Sequence, residues 1–221
     1  MIGPYADNSN EHLLTLLDDS KDANINVLEI GCYTGATLLE LHKRYPNSYI
    51  TGLDINRNAI DSVKHLFDAF VIDIENCEIL PYSEGFFDYI IFGDVLEHLH
   101  DPLNVLKFVK KYLKQDGKIL ISIPNIMNIL VIKDLLSGLF TYTDEGLLDK
   151  THIHFFTYYE MSNMIKLAGY KIVYENMVIF PEILEACSKL IDELMKISSK
   201  EVGRFMYEAY QYQFVISKLT Y

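Results

Sequence analysis

Acidic residues close a series of apolar runs in this chain. Val27-Leu-Glu29-Ile30 passes straight into Gly31-Cys32-Tyr33-Thr34-Gly35, and Tyr49-Ile-Thr-Gly-Leu ends on Asp54. Val71-Ile72 ends on Asp73, with Ile74 beyond it. A strand, a glycine turn opening a helix, and an acid ending the next strand are how an α/β sheet builds a nucleoside site. Asp54 can accept from both ribose hydroxyls. Glu29 can face a positively charged amino-acid end of the ligand, directly or through water. Asp73 can accept from an adenine amino group, with Ile74 against the ring. Glu29 or Asp54 alone would more often be a cap or a surface residue, and Asp73 alone reads also as a solvated turn carboxylate; the glycine loop at the right spacing joins them into one site.

Position 33 decides which nucleoside. A dinucleotide loop needs a middle glycine so that the backbone can approach the pyrophosphate. Tyr33 stands there, and Ala36-Thr37-Leu38 supplies no third glycine. A ring at this point crowds a diphosphate but not a ligand that lacks phosphate. S-adenosylmethionine, with ribose, adenine, a sulfonium and an amino-acid tail, is such a ligand.

A second constellation follows the next apolar run. Phe87 to Phe92 leads into Gly93 and Asp94, then Glu97 and His98, and His100-Asp101-Pro102 opens a helix. If this stretch turns helically, Asp94, Glu97 and His98 share one side. With His152 or His154 from a later segment, two carboxylates and two imidazoles would meet. That set suits a general base or a hard divalent cation; it also has a plain structural reading, with His98 bonded to backbone and Glu97 orienting a loop. His152 is the first choice for the base because it leaves the loop that should cover the site, with His98 second and Glu97 orienting. Tyr142, Phe155 and Phe156 read as acceptor walls; equally, the two phenylalanines read as core.

The elements that must position these groups alternate in period. Asn8 to Asp19 reads as an amphipathic helix with Leu13, Leu14, Leu16 and Leu17 inward. Strands are expected at 25–30, 49–54, 70–72, 87–92 and 118–123, and helices at about 35–44, 57–67 and 102–114, with Gln115-Asp116-Gly117 as a helix stop. The order predicts right-handed crossovers and a mostly parallel, doubly wound α/β sheet with helices on both faces. After Asn125 the rhythm breaks. Ile126 to Phe140 is apolar almost all round: a buried or lid helix, or a wall for a greasy acceptor. Tyr158–Ala168 reads as a helix, Tyr170–Val178 and Phe205–Leu219 as two last strands, and Pro181–Lys200 as a helix between them. The expectation is one domain over 1–221, with a lid and acceptor insertion at about 125–157.

Composition narrows the partners. The 221 residues are half hydrophobic and carry a net charge of −12, which opposes a nucleic-acid face or docking on anionic lipid. Lys107, Lys110, Lys111 and Lys114 read as one solvated helix face. Cys32, Cys77 and Cys187 make no C-x-x-C pair, favouring a reduced compartment. The start reads as no signal peptide and no apolar run is long enough for a span, so the expected location is the cytoplasm.

These segments carry a resemblance. The chain resembles the S-adenosylmethionine-dependent methyltransferases of the Rossmann-like superfamily. Within them it resembles the branch with segments like Asp94-Val-Leu-Glu-His-Leu-His-Asp-Pro102, Ser122-Ile-Pro-Asn125 and His152-Ile-His-Phe-Phe-Thr157. The match runs from about Asn10 to Val178. The resemblance implies a seven-stranded, mostly parallel sheet with an antiparallel last strand. It implies S-adenosylmethionine contacts at Glu29, Gly31, Gly35, Asp54, Asp73 and Ile74 and at the backbone of Gly93 and Asp94; Tyr33 and Ile55 are expected beside them. It implies methylation, of oxygen above all, on a small molecule. The run Ser137 to Asp149 resembles members associated with surface-glycan synthesis, which implies a sugar or glycan-intermediate acceptor. The family's loop usually reads Gly-Cys-Gly-Thr-Gly, and Tyr33 departs from it. Two rivals stand beside this reading. One is a non-catalytic protein that binds S-adenosylmethionine and regulates a partner, which Tyr33 supports and the three strand-end acids oppose. The other is an NAD-dependent sugar oxidoreductase, opposed by Tyr33 and by the lack of a Tyr-x-x-x-Lys pair.

Overall fold

Seven strands form one sheet in the order β3-β2-β1-β4-β5-β7-β6, in a computed structural model that describes residues 10–17, 20 and 22–219. In chain order the elements are α1 (Glu11–Leu14), β1 (Asn26–Ile30), α2 (Ala36–Arg44), β2 (Tyr49–Asp54), α3 (Arg57–Val63), β3 (Asp68–Val71) and β4 (Phe87–Gly93). A 3-10 turn (Leu96–His98), α4 (Pro102–Val109), β5 (Leu113–Pro124), α5 (Ile129–Leu136), α6 (Tyr158–Leu167), β6 (Tyr170–Val178), α7 (Pro181–Ile197), α8 (Phe205–Glu208) and β7 (Gln211–Lys218) follow. β1 to β5 pair in parallel. β7 runs antiparallel between β5 and β6. The expected α/β architecture is the observed one.

The alternation of side chains along each strand divides the core into two layers. Leu28, Ile30, Ile90, Phe92, Ile119 and Ile121 point to the face covered by α4 and α6, where Val105, Leu106, Met161 and Ile165 meet them. Val27, Ile50, Tyr89, Ile91 and Leu120 point to the other, against Leu13 and Leu14 of α1, Leu38 and Leu41 of α2, and Ile60 of α3. Strands buried on both faces read as continuous apolar runs, and their carboxyl ends are where the acids stand.

Several boundaries differ from the sequence expectation. The first helix is a single turn: the N–H groups of Leu16 and Leu17 already reach back three residues, to Leu13 and Leu14. Leu16 is half-buried while the other three leucines are buried; positions 8, 9, 18 and 19 lie outside the described residues. α3 stops at Val63, and β3 begins two residues earlier than expected. α4 ends at Val109, and Gln115-Asp116-Gly117 lies inside β5 rather than at a helix stop. The reason is burial: Tyr112 and Leu113 are fully enclosed, which a solvated helix end would not allow. The four lysines therefore do not share a helix face. Lys114 pairs with Asp88 at 2.7 Å, and Lys110 donates to the Gly169 carbonyl at 2.7 Å. The last expected strand is split. Asn125 donates to the carbonyls of Met206 and Ala209, and Asn128 also to that of Ala209. Those bonds hold residues 205–209 in a helical turn before β7 starts.

Only Ile129–Leu136 of the apolar stretch after Asn125 is helical. Ile129 and Val131 are buried, whereas Leu135, Leu136, Leu139 and Phe140 are exposed. No helix among the described residues is long and apolar enough to cross a membrane.

Candidate active site

The carboxyl ends of β1, β2 and β4 open onto one cavity of about 720 Å³, a size typical of small-molecule sites. Every residue expected at the nucleoside end lines it except Gly35: Glu29, Gly31, Tyr33, Asp54, Ile55, Asp73, Ile74, Gly93 and Asp94. Gly35 stands behind the wall, at φ 78° as N-cap of α2, with its N–H on the Cys32 carbonyl. Gly31 is needed for space as well as for its φ of 77°, because a Cβ there would lie 2.5 Å from Val95 Cγ2.

Asp54 locks the floor of this end. Its carboxylate accepts from the Tyr33 N–H at 2.8 Å and from the Asn56 N–H at 2.7 Å. Each oxygen keeps further acceptor capacity toward the cavity. Glu29 is buried, and its Oε2 has no partner. Burial pushes its carboxyl up to about 8, against a lowering hydrogen bond from Thr37. A buried acid with an unsatisfied oxygen facing a cavity is suited to a cation. Asp73 is more occupied than the sequence suggests: it accepts from the Glu75 N–H at 3.0 Å and the Asn76 amide at 2.8 Å. Ile74 is buried beside it.

Tyr33 and Asp94 are the only non-glycine residues with positive φ among the described residues, at 43° and 55°. Both line the cavity, at the exits of β1 and β4. Such backbone costs about 1–2 kcal/mol in an L-residue, and its clustering at one cavity is typical of functional sites. The Tyr33 backbone keeps a shape that glycine adopts freely. We expect Tyr33→Gly to preserve the fold and to change ligand affinity by less than about tenfold, read by thermal melting and titration calorimetry. A collapse of the melting transition would instead make Tyr33 a core residue.

The second constellation assembles, but not by helical spacing. The positive φ of Asp94 and the 3-10 turn after it break the periodicity. Asp94 is drawn toward the sheet: it accepts from Ser122 Oγ, Gln211 Nε2 and, at 3.4 Å, the Asn10 amide. Burial raises its carboxyl, while Ser122 and Gln211 oppose the rise. The group that converges is Glu97, His98 and His152, with one ligand-type atom from each all within 4.8 Å of one another. Glu97 is 1 % exposed and neither of its oxygens has a partner. Burial, with Asp94 and Asp149 nearby, holds its carboxyl well above the usual range. His152 Nε2 lies 3.9 Å from Glu97 Oε1. Burial and the neighbouring His98 lower the His152 imidazole, keeping it neutral.

Backbone sets both tautomers. His152 Nδ1 faces the Leu147 carbonyl at 3.3 Å, so Nδ1 carries the hydrogen and Nε2 the lone pair. His98 Nδ1 faces the Thr151 carbonyl and Thr151 Oγ1, both at 3.2 Å. The Thr151 hydroxyl spends its own hydrogen on Asp149, at 2.6 Å, so His98 Nδ1 must donate and its lone pair is also on Nε2. The segment is pinned to the 3-10 turn by the N–H groups of Ile153 and His154, which both donate to the Glu97 carbonyl.

His154 does not join the group: its Nε2 faces the His100 carbonyl at 3.2 Å. Nor do the three aromatic residues read as acceptor walls or, for the two phenylalanines, equally as core. Phe156 is core. Phe155 packs between Phe140 and His152, and Tyr142 is exposed beside Phe140. Sequence reading missed Asn10, Val95, Tyr210 and Gln211, which line the cavity from the chain's two ends and from the turn after β4. Only pairing of β7 with β5 brings Tyr210 and Gln211 there, and no local pattern marks them.

A family model described as a methyltransferase domain matches residues 5–175. The chain is 32% identical over 94 residues to the ubiquinone/menaquinone biosynthesis C-methyltransferase of Desulfotalea psychrophila, covering 42% of this chain and 38% of that protein. It is 26% identical over 167 residues to the malonyl-[acyl-carrier protein] O-methyltransferase of Geobacter sulfurreducens, covering 74% and 62%. The chain thus spans between about two fifths and three fifths of the length of these curated relatives. A solved S-adenosylmethionine-dependent methyltransferase from Archaeoglobus fulgidus has the same fold, with TM-score 0.62 at 19% identity over 90% of this chain and 88% of that one. So does a Burkholderia thailandensis 1,6-didemethyltoxoflavin-N1-methyltransferase solved with its acceptor and S-adenosylhomocysteine, with TM-score 0.56 at 13% identity over 89% and 72%.

Proposed function

The chain belongs to the methyltransferase-domain family of S-adenosylmethionine-dependent proteins, and we propose that it moves a methyl group from S-adenosylmethionine to a hydroxyl of an uncharged small molecule of sugar or glycan-intermediate type. The observation that carries the reading is the convergence of Glu29, Asp54 and Asp73 from three neighbouring strand ends on one cavity. Asp54 would accept from the ribose, the unsatisfied Oε2 of Glu29 would take the ammonium of the amino-acid tail, and Ile74 with Ile55 would flank the adenine near Asp73. Gly31, Tyr33, Gly93 and Asp94 would supply backbone around the tail. S-adenosylmethionine, when bound, supplies a methyl group already made electrophilic by its sulfonium.

The residues of this chain then have two tasks. The strand ends hold the reactants in line, an effect worth roughly 7–11 kcal/mol in well-oriented reactions. At the far end the acceptor's proton must be taken. His152, neutral and with its lone pair on Nε2, is our candidate base, with His98 and Glu97 as its neighbours. That equipment suits oxygen, whose proton must leave. Acidic lining supports the acceptor class: Glu29, Asp54, Asp73, Glu75, Asp94 and Glu97 face the cavity, and no lysine or arginine does among the described residues. A carboxylate or phosphate acceptor would meet no basic side chain there. The resemblance of Ser137 to Asp149 to glycan-associated members points the same way.

Titration calorimetry tests the cofactor half. S-adenosylmethionine should bind and NAD should not. Glu29 holds its proton below about 8, and an ammonium beside it favours the ionised form. Binding should therefore release a proton, and affinity should rise from pH 6 to 7.5, by up to about tenfold per unit. Glu29→Gln should flatten that slope. NAD binding as tightly as the sulfonium compound would sink the assignment, and a wild-type affinity indifferent to pH would remove Glu29 from the tail.

A further inference from the structure

We propose that Glu97, His98 and His152 form a binding site for one divalent ion of the zinc class, in which His98 and His152 coordinate through Nε2 and Glu97 through its carboxylate. Two imidazoles and a carboxylate are the donor set of many catalytic zinc sites and of two-histidine, one-carboxylate iron sites. Three features beyond residue type support it. First, Nδ1 of each histidine is taken up, His152 Nδ1 by the Leu147 carbonyl and His98 Nδ1 by Thr151, which leaves Nε2 of each ring as the donor to an ion. Metal-ligating histidines nearly always have their second nitrogen donating to a carbonyl or carboxylate-linked group in this way. The Asp149–Thr151–His98 relay extends that support by one further bond.

Second, both oxygens of Glu97 are buried without a partner. A fully enclosed carboxyl whose two oxygens both lack a hydrogen-bond partner is rarely left so without a ligand to satisfy it. Third, the surroundings favour a cation: Asp94 and Asp149 both act on Glu97, and no lysine or arginine lines the cavity among the described residues. The ligand atoms lie within 4.8 Å of one another, whereas bonds to zinc of about 2.0–2.1 Å place tetrahedral neighbours roughly 3.3 Å apart. Ion binding therefore requires the three ligand atoms to draw together by about 1.5 Å.

That this end of the cavity is the acceptor's rests on the function proposed above; the ion site itself does not. With an ion in place, His152 Nε2 is a ligand and cannot take a proton, so ion occupancy and the base role compete for one nitrogen. The test uses the full chain, stripped with chelator and dialysed. Zinc is titrated calorimetrically, and cobalt is followed by its visible d–d absorption. We expect one ion per chain and tetrahedral-type cobalt bands. Glu97→Gln and His98→Gln should each lower affinity by at least about tenfold, and His154→Ala should leave it unchanged. Circular dichroism of each variant guards against misfolding. No stoichiometric binding, or binding equal in the wild type and in the Glu97→Gln and His98→Gln variants, overturns the site. Methyl-transfer assays with and without zinc then separate the two readings. Binding that inhibits keeps both the site and His152 as base. Binding that activates keeps the site and removes His152 as base.

Discussion

Replacing His152 by alanine should slow the proposed methyl transfer by about two to four orders of magnitude, the usual contribution of a positioned general base. Affinity for S-adenosylmethionine should barely move, because the residues assigned to it stand on β1 and β2 and at the exits of β1 to β4, while His152 reaches the cavity from the segment before α6. The His152 side chain is 4 % exposed and its ring lies 4.9 Å from that of His98, so the alanine variant loses packing as well as a base. His152→Gln, closer in volume, separates the two effects. A rate loss common to both variants, with melting temperature restored only by glutamine, marks a chemical role. Normal turnover of an identified acceptor by the alanine variant would make His152 structural.

Asp54→Ala should weaken S-adenosylmethionine binding by roughly 10- to 150-fold, the equivalent of about 1.5–3 kcal/mol for hydrogen bonds to a charged group. The same change orphans the Tyr33 N–H, which Asp54 accepts at 2.8 Å, and loosens the loop after β1. Melting temperature should fall as well, through an unsatisfied donor worth about 1–3 kcal/mol. Asp54→Asn keeps an acceptor for that N–H while removing the charge. If asparagine restores the melting temperature but not the affinity, the ribose role and the loop role are separated. An alanine variant with unchanged affinity would show that the strand-end acid is assigned to the wrong ligand group.

That Glu29, Asp54 and Asp73 line one cavity was legible in the sequence because its determinants are local. A strand buried on both faces must be a short apolar run, and the residue that ends it must emerge at the sheet's edge. Glu29 and Asp54 are therefore placed by the same period that makes β1 and β2 strands, while Asp73 follows the half-exposed edge strand β3. Tyr33 announced its unusual loop for the same reason, although that Asp54 would hold its N–H became visible only in three dimensions. The helix and strand limits were less legible. Tyr112 and Leu113 are enclosed by elements distant in the chain, and that burial overrides the turn chemistry of Gln115-Asp116-Gly117.

The group of Glu97, His98 and His152 shows the division most clearly. The residue types Glu97, His98 and His152 could be named from the sequence, but the helical spacing that seemed to unite Asp94 with them is absent. Ser122 and Gln211, on β5 and β7, draw Asp94 toward the sheet instead. The segment around His152 is brought in by two N–H groups on the Glu97 carbonyl, a contact between residues more than fifty positions apart that no local pattern encodes. By itself the sequence determined the strand ends and the chemistry they could offer. The tertiary structure decided which imidazole meets which carboxylate and which ring nitrogen keeps its lone pair, because those depend on loop-to-loop hydrogen bonds formed only once the sheet is assembled.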